Sequence, residues 1–202
     1  MVEHLNPRDR FNIVRFSTDV ETFRPGFVSA AKERAGALEF ARGLEPAGGT
    51  AIHAALLRAL AMPAEGRPIV VFETDGRPTV GETETKTILR DVAEKNGAVR
   101  ARLFTFGVGD SVNTRLLDQL ARDHGGAAAY LKPGAEVERA LVAFYNKMSH
   151  PVLSDVALEI RRVAPFAVLP GQVPDLFRGD QLVVLGRYRT PGDAFVRLTG
   201  KV

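Results

Sequence analysis

Residues 67–79 read RPIVVFETDGRPT, and the change of character inside that stretch decides the fold class. Ile69 to Phe72 is a short unbroken apolar run, rich in β-branched side chains and bounded by Pro68, the pattern of a strand buried on both faces. The chain then turns polar at once. Thr74, Asp75 and Gly76 stand where such a strand leaves its sheet, the edge at which open α/β sheets place their ligands. Asp75-Gly76 is also an ordinary tight-turn dipeptide, so a metal-binding role for Asp75 needs support from elsewhere in the chain.

Working outward, the spacing predicts strands at Phe11–Phe16 (FNIVRF) and Val20–Phe23, and an amphipathic helix over Phe27–Leu44. PAGGTAIHAALLRAL follows: two glycines lead to Thr50, placed to cap a strongly apolar helix from Ala51 to about Met62. Beyond the central strand come a helix over Thr83–Asn96 stopped by Gly97 and a second buried strand, Ala101–Val108. A helix begun by Ser111 or Asn113, a strand at Ala127–Leu131 and a helix over Glu136–Met148 complete the series. Strands alternating with helices at this spacing define an α/β protein with a doubly wound, mostly parallel sheet. The alternation stops near Pro151. Asp155–Val163, Gln181–Tyr188 and Phe195–Leu198 alternate like half-buried strands with no helix between them, so residues 1–150 are expected to form the α/β domain and 151–202 a small β appendage.

The 202 residues, 45% hydrophobic and 25% charged, suffice for one full core and a smaller second unit. The net charge of +3 comes from scattered arginines without interleaved aromatics, which speaks against a nucleic-acid interface. The absence of cysteine excludes disulfides, thiolate metal sites and cysteine nucleophiles. No apolar run approaches the ~18 residues of a membrane span, and MVEHLNPRDR is not a signal peptide.

Three polar segments are expected at one sheet edge: the GGT loop, the TDG turn and the end of FGVGD. Hydroxyl and carboxylate oxygens gathered there suit a hard cation such as Mg²⁺ or Ca²⁺. Other candidates carry less. His53 lies one turn into an apolar helix and reads as a packed or rim residue. Gly107, Gly109 and Asp110 lack the rest of a dinucleotide fingerprint, and GETETKT lacks the Gly-Lys-Ser/Thr of a phosphate loop. Ser17 and Ser111 have no histidine and acid in a recognisable order, which leaves an α/β hydrolase or nucleotide-binding enzyme built on Asp75 and His53 as the remote alternative.

FNIVRFS, GGTAIHAALL, VVFETDGRPTVGET, LFTFGVGD, NTRLLDQLARDHGG and FYNKMSHPVLSDV, in this order, resemble a von Willebrand factor type A (VWA) domain. The resemblance is to the kind that accompanies a VIT domain in inter-alpha-trypsin inhibitor heavy chains and their bacterial relatives. It implies a non-enzymatic protein-interaction or adhesion module at the cell envelope or outside the cell. It also implies a metal-ion-dependent adhesion site (MIDAS), to which this chain contributes Thr50 through its hydroxyl and Asp75 directly or through water. The metal would be Mg²⁺ or Ca²⁺, and the partner a protein presenting an acidic side chain.

The D-x-S-x-S segment of that site is absent, and with it the family's first central strand and helix. The expectation is therefore of an N-terminally truncated VWA domain. Met1 would be an internal start, the missing part of the same protein a partner, and metal affinity weak or lacking. A scaffold that binds partners without metal is the alternative. Glu73 stands where the family carries an apolar residue, and by strand alternation it shares a face with Asp75.

Overall fold

A computed structural model describes residues 1–43, 48–132, 134, 136–148, 151–171, 173, 175–177 and 181–201. The chain divides into two compact units, Met1–Val142 and Ala143–Val202.

The first unit opens with a 3-10 turn, Val2–His4, and two small antiparallel pairs. β1 (Arg10–Phe11) pairs with β4 (Val28–Ser29), and β2 (Val14–Phe16) with β3 (Val20–Thr22). FNIVRF, expected as one strand, is thus split at Asn12. The Asn12 side chain explains the break: Oδ1 accepts from the Ile13 and Arg24 amides at 2.8 and 3.2 Å, and Nδ2 donates to the Arg24 and Gly26 carbonyls at 2.8 and 2.9 Å. These local bonds stand in for ladder bonds and turn the chain. Helix α1 (Ala30–Arg42) is shorter than expected because β4 takes the residues before it, and Leu44 lies outside the described residues.

Helix α2 (Ile52–Leu60) leads to β5 (Ile69–Thr74), then α3 (Thr85–Val99), β6 (Arg102–Val108), α4 (Thr114–Asp123), β7 (Ala128–Leu131) and α5 (Glu136–Met148). The order β5-β6-β7 is parallel throughout, with Thr74 level with Gly107 and Val108 level with Leu131. The central strand, β6, is buried along Arg102–Gly107, as expected. β5 corrects the sequence reading: it is not covered on both faces. Phe72 and Thr74 are buried, while Ile69 is 42% exposed and Glu73 is exposed. The reason is its position, since among the described residues β5 pairs only with β6 and lies at the edge of the sheet.

The main core joins Ile52, Leu56 and Leu60 of α2, Phe72, Ile88 and Val92 of α3, Leu103, and Leu116, Leu117 and Leu120 of α4. Phe16 of β2 reaches it by stacking on Phe72, ring centroids 5.4 Å apart. A second cluster gathers Phe11, Phe23, Ala30 and Ala37.

The end of α3 is a second correction. The helix runs through Gly97 and stops at Arg100, whose φ of 58° and ψ of 31° are left-handed. The stop is set by Asn96, which is buried: Oδ1 accepts from the Ala101 amide at 2.7 Å, and Nδ2 donates to the Ala101 carbonyl at 2.9 Å. Nδ2 also lies 2.9 Å from His124 Nδ1, a contact that works as a hydrogen bond only when that ring nitrogen is unprotonated. Burial lowers the His124 pKa from its ordinary 6.5, with the charge of Asp123 acting the other way. The folded state therefore favours neutral His124, whereas the unfolded chain takes up a proton near pH 6.5. Stability from this group is present above about pH 6.5 and is lost as pH falls toward the depressed folded value. Urea midpoints measured from pH 8 to pH 5 are expected to fall below pH 6.5 in the wild type. His124→Gln should flatten that fall, and an unchanged slope in the variant would remove His124 as its cause.

The second unit is all β beyond α5. β8 (Pro151–Arg161) lies between β10 (Leu176–Phe177) and β12 (Phe195–Lys201), and β9 (Pro165–Leu169) pairs with β11 (Leu185–Tyr188), all antiparallel. The expected strands overlap β8, β11 and β12; β9 and β10 were not foreseen. In the β8–β12 register Leu158 faces Leu198 and Ile160 faces Val196, while Glu159 faces Arg197, so apolar and charged residues take opposite faces.

Candidate functional site

Three loops meet at the end of β5. The first is the turn after β2, where the Ser17 carbonyl accepts from the Ala51 amide at 2.8 Å. The second is the GGT loop before α2. The third is the turn from Thr74 to Thr79.

Thr50 and Thr79 exchange two hydrogen bonds: Thr50 N–H donates to Thr79 Oγ1 at 2.9 Å, and Thr79 N–H donates to the Thr50 carbonyl at 3.0 Å. Close approach explains the glycines. A Cβ on Gly49 would meet Thr18 Oγ1 at 2.5 Å and Val80 Cγ2 at 2.7 Å, and one on Gly76 would meet Thr50 Oγ1 at 3.2 Å. The Thr50 hydroxyl therefore lies against the turn that carries Asp75.

Thr50 does not cap α2, contrary to expectation. The capping position belongs to Ala51, with no side-chain bond to the helix amides. The Thr50 hydroxyl is thereby left to the loop cluster. Thr74 is buried, and its Oγ1 accepts from the Gly76 amide at 3.3 Å, shaping the turn on which exposed Asp75 sits. The FGVGD segment ends on the neighbouring strand. Gly107 is level with Thr74, and Gly109, at φ 79°, donates to the Leu131 carbonyl at 2.8 Å. Asn113 then caps α4 by accepting from the Leu116 amide at 3.1 Å, and its Nδ2 donates to Thr85 Oγ1 at 3.1 Å.

Glu73 lies on β5, at the edge of the sheet among the described residues. Its residue surface is exposed, yet neighbouring protein crowds the carboxyl enough for desolvation to raise its pKa from 4.5, against the opposing pull of the Met1 ammonium. Side-chain exposure and carboxyl crowding differ because a residue on a sheet edge is open on one side only. His53 has a partner the sequence did not reveal: Nε2 lies 3.0 Å from Asp91 Oδ2, tying α2 to α3. Hydrogen bonds from Arg90 hold the Asp91 carboxyl below the usual carboxylate range. This is an interhelical contact of a packed residue.

The donor set of the cluster is right in kind for a hard cation and short in number. One hydroxyl, Thr50, and one carboxylate, Asp75, are brought to the same turn, whereas Mg²⁺ takes about six oxygens and Ca²⁺ six to eight. Among the described residues, no group of three or more His, Asp or Glu side chains stands ready to hold a metal ion. Thr18 and Thr79 were missed by sequence reasoning. Both act across loops far apart in the chain, and only the threonine-rich composition of those loops hinted at them.

A parallel sheet with helices packed on it, and polar loops converging where its strands end, defines a Rossmann-like α/β binding domain. The chain belongs to the von Willebrand factor type A domain family, whose profile matches residues 1–130. It is 33% identical to human inter-alpha-trypsin inhibitor heavy chain H4 over 95% of this chain and 22% of that protein. The chain thus spans about a fifth of the length of that relative. In fold it resembles the von Willebrand factor type A protein from Catenulispora acidiphila, with a TM-score of 0.70 at 18% identity over 96% of this chain and 49% of that one. It also resembles proximal thread matrix protein 1 from the mussel byssus, in a structure with a zinc-occupied MIDAS motif. There the TM-score is 0.50 at 17% identity over 74% of this chain and 37% of that one. Among the described residues, no helix is long and apolar enough to cross a membrane.

Proposed function

We propose that this chain is a non-enzymatic protein-interaction module, with residues 1–150 as the binding domain, 151–202 as a β-rich segment that follows it in sequence, and the Thr50–Asp75 rim as its site. The observation that carries the reading is the seating of the Thr50 hydroxyl against the Asp75–Gly76 turn. Family membership and the metal-bearing MIDAS of the mussel protein support a divalent cation as the bridge to an acidic side chain on a protein partner. Similarity to a heavy chain of inter-alpha-trypsin inhibitor supports a setting outside the cell or at its envelope. With two ligands, affinity for Mg²⁺ or Ca²⁺ is expected to be on the order of millimolar or weaker.

The test is an NMR titration of the 202-residue protein with Mg²⁺ and Ca²⁺. Resonances of Thr50, Asp75 and Gly76 are expected to shift together, and Asp75→Ala to abolish the response. Tight binding, or a response indifferent to Asp75→Ala, would contradict the reading. The lack of a three-ligand cluster among the described residues favours a second reading, a scaffold that engages partners without metal. On that reading neither cation shifts the rim, and chelation leaves partner binding untouched.

A further inference from the structure

We propose that Thr79 is the positioning residue of this rim, holding Thr50 in place by a side-chain bond to its backbone amide. The proposal rests on the reading of the Thr50–Asp75 rim as the interaction site. Thr50 follows Gly48 and Gly49, and a Gly-Gly approach leaves the backbone free to take many angles. Some other contact must fix where the threonine sits. Helix α2 does not supply it, because Thr50 makes no cap bond there.

The reciprocal pair with Thr79 does supply it. One bond is main chain to main chain, from Thr79 N–H to the Thr50 carbonyl; the other runs from Thr50 N–H to Thr79 Oγ1. The two bonds close a small ring across 29 positions of sequence. The peptide after Thr50 is held by Thr79 N–H and, through Ala51 N–H, by the Ser17 carbonyl, whereas the peptide before it, which follows the two glycines, is held by Thr79 Oγ1. Thr79 stands four residues beyond Asp75, on the same turn. The clamp thus ties the hydroxyl-bearing loop to the carboxylate-bearing loop directly, and the two candidate ligands move as one body. Thr18 and Val80 close over Gly49 from the outside and restrict the same loop further.

Removing only the hydroxyl tests this. Thr79→Val keeps the volume and the main-chain bond but deletes the acceptor for the Thr50 amide, whereas Thr79→Ser restores it. Hydrogen exchange of the Thr50 amide is read by NMR in the metal-free protein, with Tm as the measure of global stability. In Thr79→Val the Thr50 amide is expected to exchange about five- to tenfold faster. Thr79→Ser should return it to the wild-type rate, with Tm little changed in either variant. Equal exchange in Thr79→Val and wild type overturns the proposal, and so does acceleration that Thr79→Ser fails to reverse.

A second arm adds Mn²⁺ as a paramagnetic probe. Broadening at Asp75 and Gly76 that persists in Thr79→Val while broadening at Thr50 weakens supports a positioning role toward the cation. Broadening at Thr50 that is identical in wild type and Thr79→Val overturns that role. If wild type shows no broadening at either loop while the exchange result holds, the clamp stands and the metal-bridge reading falls.

Discussion

Gly126→Ala is expected to be the most damaging single-methyl change in this protein. Gly126 enters β7 directly beneath β6, and a Cβ there would drive into the Leu103 carbonyl, with the carbonyl carbon 2.6 Å and the Phe104 nitrogen 3.2 Å away. Both neighbours are main chain in the buried central strand, so no side chain can swing aside. Relief requires β7 to move off β6 where Thr105 N–H donates to the Ala127 carbonyl at 3.1 Å. Side-chain overpacking alone costs about 1–3 kcal/mol, and a clash with immobile backbone belongs at or above the top of that range. Urea denaturation is expected to show a loss of at least about 3 kcal/mol or no folded protein at all. Gly97→Ala is the control: Gly97 lies inside α3 with nothing within 4 Å of the added methyl, and the change should stabilise by about 0.5–1 kcal/mol. Comparable losses in the two variants would show that the close approach at Gly126 has been misjudged.

Phe104→Ala is the second large effect. Phe104 is 1% exposed in the middle of β6, flanked by β5 through Val71 and followed by β7. Truncation removes the transfer free energy of the ring and leaves a cavity that strands hydrogen-bonded on both sides cannot collapse to fill. The expected cost is about 3–5 kcal/mol, read as a lower urea midpoint at unchanged m-value. A loss below about 1.5 kcal/mol would mean that β6 can relax, contrary to its position as the central strand.

The α/β series was legible because it depends on local pattern. Ala101–Val108 announced β6 as a mostly apolar run interrupted only by Arg102 and Thr105, and the leucines at 116, 117 and 120 announced α4 by their period. The misreadings occurred where a single polar side chain overrode that pattern. Asn12 looks like one polar residue inside a strand, yet its four bonds break the strand in two. Gly97 looks like a helix stop, but Asn96 reaches forward to Ala101 and carries the helix three residues further. The exposure of β5 was not readable from IVVF at all, since burial depends on which neighbours a strand finds.

Within the site, the turn that carries Asp75 and its approach to Thr50 were foreseen from GGT and TDG. The cap assigned to Thr50 was not what formed: α2 begins one residue later, with Ala51 at the capping position, and the Thr50 amide is bonded instead to Thr79 of a distant loop. Such contacts leave no periodic trace in a sequence.

The open edge of β5 has a bearing on handling and self-association. Exposed strand edges invite other chains to add to the sheet, and a charge on the edge is a common deterrent. Ile69 is exposed on this edge, and Glu73 is the charge that stands guard there. Because its carboxyl is desolvated, Glu73 takes up a proton at a higher pH than an ordinary glutamate. Acidification therefore neutralises this guard before it neutralises ordinary glutamates, and the edge loses its charge on the acid side first.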